Sequence, residues 1–257
     1  MLILSVVSHQ RIYKFLKDNK ILKKLIIAST STVHGSKPLE YLLPCLSEHF
    51  KQVNELLFIP YARPSGISYD DYTKKIQKAF TNLSIEVKGI HQYDNAKQAI
   101  SSAQGIFTGG GNTFELVNQL YRHELMNVLK ATLEKGTPYL GTSAGSNICG
   151  ITMMNTNDMP IVYPPSFQTM ALIPCNINAH YLDPDPSSTH MGETRETRIK
   201  EFHVFNNTPV LGLREGSWLE VYGSQITLRG ALEARLFLKG KDAEELQSGL
   251  SINPFLP

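Results

Sequence analysis

The stretch YLGTSAGSN, Tyr139 to Asn147, sets one serine between two glycines at the end of an apolar run. Gly-x-Ser-x-Gly between a strand and a helix is the pattern of a nucleophile elbow. The turn is tight, and side chains at the flanking positions would collide, so glycine stands at 141 and 145. The oxygen of Ser143 would then project from the sheet, with the Ala144 N–H at a helix N-terminus ready to donate to an oxyanion. The pentapeptide alone fits a packing turn or a phosphate site equally well. The elements around it have to decide.

Those elements alternate. KLIIAST (24–30), ELLFIP (55–60), SIEVKGI (84–90), GIFTGGG (105–111) and TPYLGT (137–142) read as short buried strands rich in β-formers. Between them, YDDYTKKIQKAF (69–80) has helical spacing through Tyr72, Ile76 and Phe80. NAKQAISSA (95–103) reads as a short helix, and residues 114–136 as one long helix ending near Gly136. A helix over 38–50 has to kink or shorten at Pro44. The pattern predicts an α/β fold: a mostly parallel sheet with helices on both faces, and a β-rich C-terminal edge from SWLEVYGSQITLRGALEARLFLKG (217–240). Ligands of such sheets bind beyond the carboxyl ends of the strands, where both FTGGGN and YLGTSAG are expected. No linker divides the chain, so residues 24–257 are expected to form one catalytic domain. The basic, loosely amphipathic segment 1–23 is expected to be an appended helix or a partly disordered extension outside the core; its composition also admits a mitochondrial targeting role.

Bulk properties exclude several classes. The 257 residues carry a formal net charge of +2 and no basic stripe interleaved with aromatics, which argues against a nucleic-acid partner. No apolar run is long enough to span a membrane. Cys45, Cys149 and Cys175 are odd in number and far apart, suggesting neither a disulfide framework nor a zinc site; a reduced, cytoplasmic setting is expected. Gly109-Gly110-Gly111 exposes backbone N–H groups suited to an anion, but no Gly-Lys-Ser/Thr follows, so it is not a nucleotide loop.

A serine needs a base at neutral pH, and histidine has the suitable pKa. His49 and His123 fall in helical patterns and are expected at the surface. His180, ending the run MALIPCNINAH, is the better candidate. Asp158, Asp183, Asp185 and Glu215 are all available to orient it, and chain order does not choose among them. In HMGETRETRIKEF (190–202), a charged helix, Arg195 and Arg198 offer a fork for a substrate carboxylate.

Six pieces, GGGNTFEL, GTSAGSN, TNDMPIVYP, NINAHYLDPD, HMGETRETRI and LGLREGSW, together resemble peptidase E, the α-aspartyl dipeptidase family of serine peptidases, in its order and spacing from about Leu25 to Leu238. The resemblance implies a fold similar to class I glutamine amidotransferases, with serine replacing their cysteine. It implies Ser143 as nucleophile, His180 as general base, Asp158 first and Glu215 second as the acid beside it, and the N–H groups of Gly111 and Ala144 as oxyanion donors. Arg195 matches the arginine that pairs with the aspartyl side chain, and Asn112 stands in the substrate-binding glycine motif. The implied substrate is a small Asp-X peptide, with no metal or organic cofactor; monomer and homodimer both fit. Thr142, where the family often has an aromatic residue, is similar to cyanophycinases, which act on aspartyl–arginine polymers; an isoaspartyl peptidase is a neighbouring alternative. Ala179 also departs from the family, which often has proline there. An α/β-hydrolase esterase fits less well, because its histidine normally falls late in the chain. A non-catalytic small-molecule binder would have lost Ser143, His180 or the acid.

Overall fold

The computed structural model describes residues 23–256 apart from 186, 188 and 190. The extension expected over 1–23 therefore lies outside the described residues, except for Lys23. Five strands run parallel: β1 (Lys24–Ala28), β2 (Glu55–Ile59), β3 (Glu86–Gly89), β4 (Ile106–Thr108) and β5 (Tyr139–Thr142). They lie in the order β3-β2-β4-β5-β1, and β8 (Ser217–Tyr222) then β9 (Gln225–Gly230) extend the sheet antiparallel beyond β1.

Alternation along β1 shows why both faces are covered. Leu25 and Ile27 pack into one apolar cluster, Ile26 and Ala28 into another, and all four are fully buried. Helices α1 (Leu43–His49) and α2 (Tyr69–Phe80) close the second cluster with Leu46, Tyr72, Ile76 and Phe80. Helices α3 (Ala96–Ser101), α4 (Thr113–Arg122) and α5 (Met126–Glu134) close the first, with Ile100, Leu116, Leu120, Leu129 and Leu133 among its members. The expected α2 matches its sequence span, and Ser68 caps it by accepting from the Asp71 N–H at 3.0 Å.

Two expectations need correction, and the shortening expected at Pro44 is met. The long helix over 114–136 is two helices. Glu124 N–H donates to Tyr121 O and Leu125 N–H to Leu120 O, which closes a Schellman motif with Glu124 in the left-handed region (φ 55°) and buried Leu125 anchoring it. The run 38–50 is divided too: a 3₁₀ turn at Glu40–Leu42 precedes α1, whose first turn accommodates Pro44. His49 is not at the surface but only 2% exposed, its Nε2 3.1 Å from Tyr139 O. Burial, with some help from Lys24, pushes its imidazole down to about 3 and keeps the ring neutral. His123 is exposed and stacks on Tyr61.

Only β8 and β9 form the C-terminal edge of the large sheet. The other late strands build a second sheet in the order β11-β10-β7-β6, from β6 (Asn176–Ala179), β7 (Val210–Leu213), β10 (Ala234–Phe237) and β11 (Glu244–Leu246). Strands β6 and β7 are parallel, with Ala179 opposite Leu213. In the large sheet, Ala28 is opposite Thr142 and Thr108 opposite Gly141. The carboxyl ends within each sheet are thus level, and the residues leaving them become neighbours.

Candidate active site

Ser143 leaves β5 with φ 54° and ψ −112°, then α6 (Ala144–Asn147) begins. A non-glycine residue pays for such a φ in steric strain, which persists only where the surroundings enforce it. Here they do. Ser143 N–H donates to Ala28 O at 3.1 Å, and the Ser146 hydroxyl is shared between Ala28 O (2.6 Å) and Gly141 O (2.8 Å). The two glycines are required by close approach: a β-carbon on Gly145 would stand 2.1 Å from Thr108 O, and one on Gly141 would stand 2.4 Å from Gly145 O.

His180 follows β6 and is also in the left-handed region, φ 55°. Its Nε2 lies 2.9 Å from Ser143 Oγ and its Nδ1 2.6 Å from Glu215 Oε1. Glu215 reaches it because the β6–β7 register brings residue 180 and residues 214–215 out of the same sheet end. Arg214, next to Glu215, is held bidentately by Asp183 (2.8 and 2.7 Å) and Glu245 (2.8 and 3.0 Å).

The other three acids are committed elsewhere. Asp158, placed first as the acid beside His180, makes no contact with it. Its Oδ2 accepts from Thr113 N–H at 2.7 Å and from the Thr156 hydroxyl at 3.0 Å, against the positive end of α4. An asparagine lattice holds it there: Asn157 Nδ2 donates to Ala179 O (2.8 Å) and to Asn178 Oδ1 (3.1 Å), and Asn178 Nδ2 to Asn155 O (2.8 Å). Asp183 is taken by Arg214, whose hydrogen bonds hold its carboxyl below the usual carboxylate range. Asp185 accepts from Ser187.

The glycine triplet lies against the serine. A β-carbon on Gly110 would come within 2.9 Å of Ser143 Cβ, and one on Gly111 (φ 146°) within 2.1 Å of Ala62 O. Neither Gly111 N–H nor Ala144 N–H donates to a protein acceptor among the described residues. Asn112, expected at the substrate, instead caps α4: its Oδ1 accepts from Glu115 N–H (3.1 Å) and its Nδ2 donates to Met159 O (2.8 Å). Its amide therefore fixes the Asp158 loop to the glycine turn.

Arg195 opens α7 (Arg195–Phe205) after the Thr194 cap. It is half-buried, and no carboxylate lies within ion-pair distance of it among the described residues. Burial holds its guanidinium below the ordinary pKa, Arg198 adds to this, and Asp158 pulls the other way. A cation at a helix N-terminus opposes the dipole, so this is a place where an anion would be welcome. Arg198 is 3.8 Å from Glu193. Sequence reasoning missed Ser29, read only as the end of a strand, whose hydroxyl meets His180 N–H at 2.9 Å. The available signal was its position at a strand's carboxyl end. Among the described residues, no group of three His, Cys, Asp or Glu side chains is placed to hold a metal ion, and the three cysteines are free.

A serine at a strand-to-helix turn at the carboxyl edge of a parallel sheet, in contact with an imidazole whose other nitrogen meets a carboxylate, defines the class of serine hydrolases. The chain belongs to peptidase family S51, whose model matches residues 25–229. It is 44% identical over 232 residues to a peptidase E of Streptomyces coelicolor, covering 90% of this chain and 94% of that protein. It is 42% identical over 227 residues to a Drosophila melanogaster protein named "Probable alpha-aspartyl dipeptidase", covering 87% and 93%. The crystal structure of a peptidase from an acI-B1 actinobacterium superposes with a TM-score of 0.65 at 17% identity, over 90% of this chain and 96% of that one, which establishes the shared fold.

Proposed function

We propose that this protein is a serine dipeptidase that hydrolyses dipeptides with N-terminal aspartate. The observation that carries the reading is the line Ser143 Oγ, His180 Nε2, His180 Nδ1, Glu215 Oε1, with contacts of 2.9 and 2.6 Å. Ser143 attacks the scissile carbonyl while its proton passes to His180 Nε2. The resulting oxyanion is held by the N–H groups of Gly111 and Ala144. His180 returns the proton to the leaving amine, the C–N bond breaks, and residue X departs. Water then enters, gives its proton to His180, and attacks the acyl-serine; aspartate leaves and Ser143 regains its proton. Glu215 holds Nδ1–H and stabilises the imidazolium that forms. Glu215→Gln is expected to lower kcat by about 10²-fold with KM within about twofold, measured on Asp-Leu; equal kcat would remove the carboxylate from the relay.

Arg195 is read as the grip on the aspartyl side chain. Its half-buried charge, without an ion-pair partner among the described residues, suits a carboxylate, and the name of the Drosophila relative supports aspartate as that carboxylate's source. Arg195→Met is expected to cut kcat/KM for Asp-Leu by about 10- to 100-fold, and to narrow the gap between Asp-Leu and Leu-Leu. Unchanged selectivity would take Arg195 out of the pocket. The decisive assay compares Asp-Leu, Glu-Leu, isoaspartyl-Leu and an aspartyl–arginine polymer; preference for either of the last two sinks the dipeptidase reading. Thr142, the feature shared with cyanophycinases, is fully buried beneath the turn. It does not face a substrate and gives that alternative no weight.

We treat residues 24–257 as one catalytic unit, because Ser143 leaves the large sheet and His180 and Glu215 leave the small one. The three free thiols fit a reducing, cytoplasmic setting.

A further inference from the structure

We propose that Ser29 is a positioning residue: its hydroxyl holds His180 in the backbone conformation that aims the imidazole at Ser143. The inference rests on His180 being the base of the reaction. Ser29 stands directly after β1, is 0% exposed, and is fixed by its own N–H on Ser217 O at 3.1 Å. Its Oγ donates to Leu213 O at 2.6 Å and accepts from His180 N–H at 2.9 Å. One group doing both must be a hydroxyl. The bonds tie the end of the large sheet to the ends of β6 and β7 in the small one, so they bridge the two halves from which nucleophile and base emerge.

Two further observations give the bridge a catalytic meaning. His180 has φ 55°, a conformation that a non-glycine side chain leaves unless it is held. The residue preceding Ser29 performs the matching task for the nucleophile: Ala28 O accepts from Ser143 N–H at 3.1 Å. Consecutive residues at the end of β1 therefore hold the backbones of both reacting residues, and the 2.9 Å separation of Oγ and Nε2 is measured off one short piece of strand. Losing the Ser29 hydroxyl frees the His180 peptide to rotate toward ordinary φ. That swings Nε2 away while leaving the Arg195 pocket as it was.

The test measures three quantities: kcat and KM on Asp-Leu, the rate constant for labelling of Ser143 by a fluorophosphonate (followed by intact mass in the folded fraction), and Tm. In Ser29→Ala, kcat and labelling are expected to fall together by about tenfold or more, with KM within about twofold. Ser29→Cys, nearly isosteric but a weak donor and acceptor, is expected to lose most of the same activity and carries the test if the alanine variant folds poorly. Ser29→Thr, which keeps the hydroxyl, is expected to recover most of it. Thr73→Val removes another buried hydroxyl bond, to Tyr69 O at 2.7 Å in α2, and is expected to lower Tm with kcat and labelling unchanged. Wild-type kcat and labelling in Ser29→Ala or Ser29→Cys, whatever their Tm, would overturn the inference. So would an equal loss in Thr73→Val. A wild-type protein that labels but ignores Asp-Leu would end the substrate reading and leave the Ser29 inference to be judged on labelling. A wild type that does not label would end both.

Discussion

Ser143→Ala is expected to lower turnover of Asp-Leu by about 10⁴-fold or more while the protein stays folded. Among the described residues the hydroxyl has a single polar partner, His180 Nε2 at 2.9 Å, so its removal deletes the attacking atom without opening the turn. The turn is held by backbone contacts that alanine retains: Ser143 N–H on Ala28 O, and the N–H groups of Ser146 and Asn147 on Ser143 O at 2.9 and 3.0 Å. The binding groups survive as well, so calorimetry should still find Asp-Leu bound with an affinity within a few-fold of the wild-type KM. Residual turnover belongs to the oxyanion donors and to proximity, which persist when a triad member is lost. Initial rates on Asp-Leu, with circular dichroism to establish folding, make the check. More than about 1% of wild-type kcat in a clean preparation would dismiss Ser143 as the nucleophile.

What the sequence made readable, and what it hid, follows from the range of each interaction. Strands β1 to β5 are legible within two residues because a strand buried on both faces is written as a local apolar run, except that the expected fourth strand runs three residues past the end of β4 into the glycines. The elbow is legible because the glycine requirement is local too. The break at Glu124 is not: the left-handed residue that ends α4 is usually glycine, and here a glutamate adopts it because Leu125 is driven into the core. Helical spacing says that His49 lies on a helix, but not that its face meets Tyr139. The choice among Asp158, Asp183, Asp185 and Glu215 is the least local of all. It depends on Ala179 lying opposite Leu213, a pairing of two strands separated by a loop and a whole helix. Asp158 sits nearer than Glu215 to both Ser143 and His180 in sequence, yet the asparagine lattice turns its carboxylate to the first N–H of α4. Family likeness brought Ser143, His180 and the two acids into view; strand register sets which acid meets the imidazole.

Gly145→Ala is expected to be strongly destabilising, costing about 3 kcal/mol or more. The reason is where the methyl must go. Its carbon would stand 2.1 Å from Thr108 O and 2.9 Å from Thr108 C, which are backbone atoms of β4, a strand buried in mid-sheet and paired on both sides. No rotamer relieves that contact, so α6 has to lift away from β4. Lifting it strains the bond from the Tyr139 hydroxyl to Gly145 O, 2.8 Å long, and drags Ser143 from His180. The fraction that still folds is therefore expected to label with a fluorophosphonate about 10²-fold more slowly, since an ångström of misalignment costs that much. Gly240→Ala supplies the contrast: Gly240 has φ 73° and no atom within 4 Å of the place its methyl would occupy, so only backbone strain of about 1 kcal/mol is expected, with labelling intact. Urea midpoints at constant m-value separate the two costs. If Gly145→Ala unfolds at the wild-type midpoint, or loses no more than Gly240→Ala, steric closure of α6 on β4 is not what keeps a glycine after this serine, and the elbow must be held by its hydrogen bonds alone.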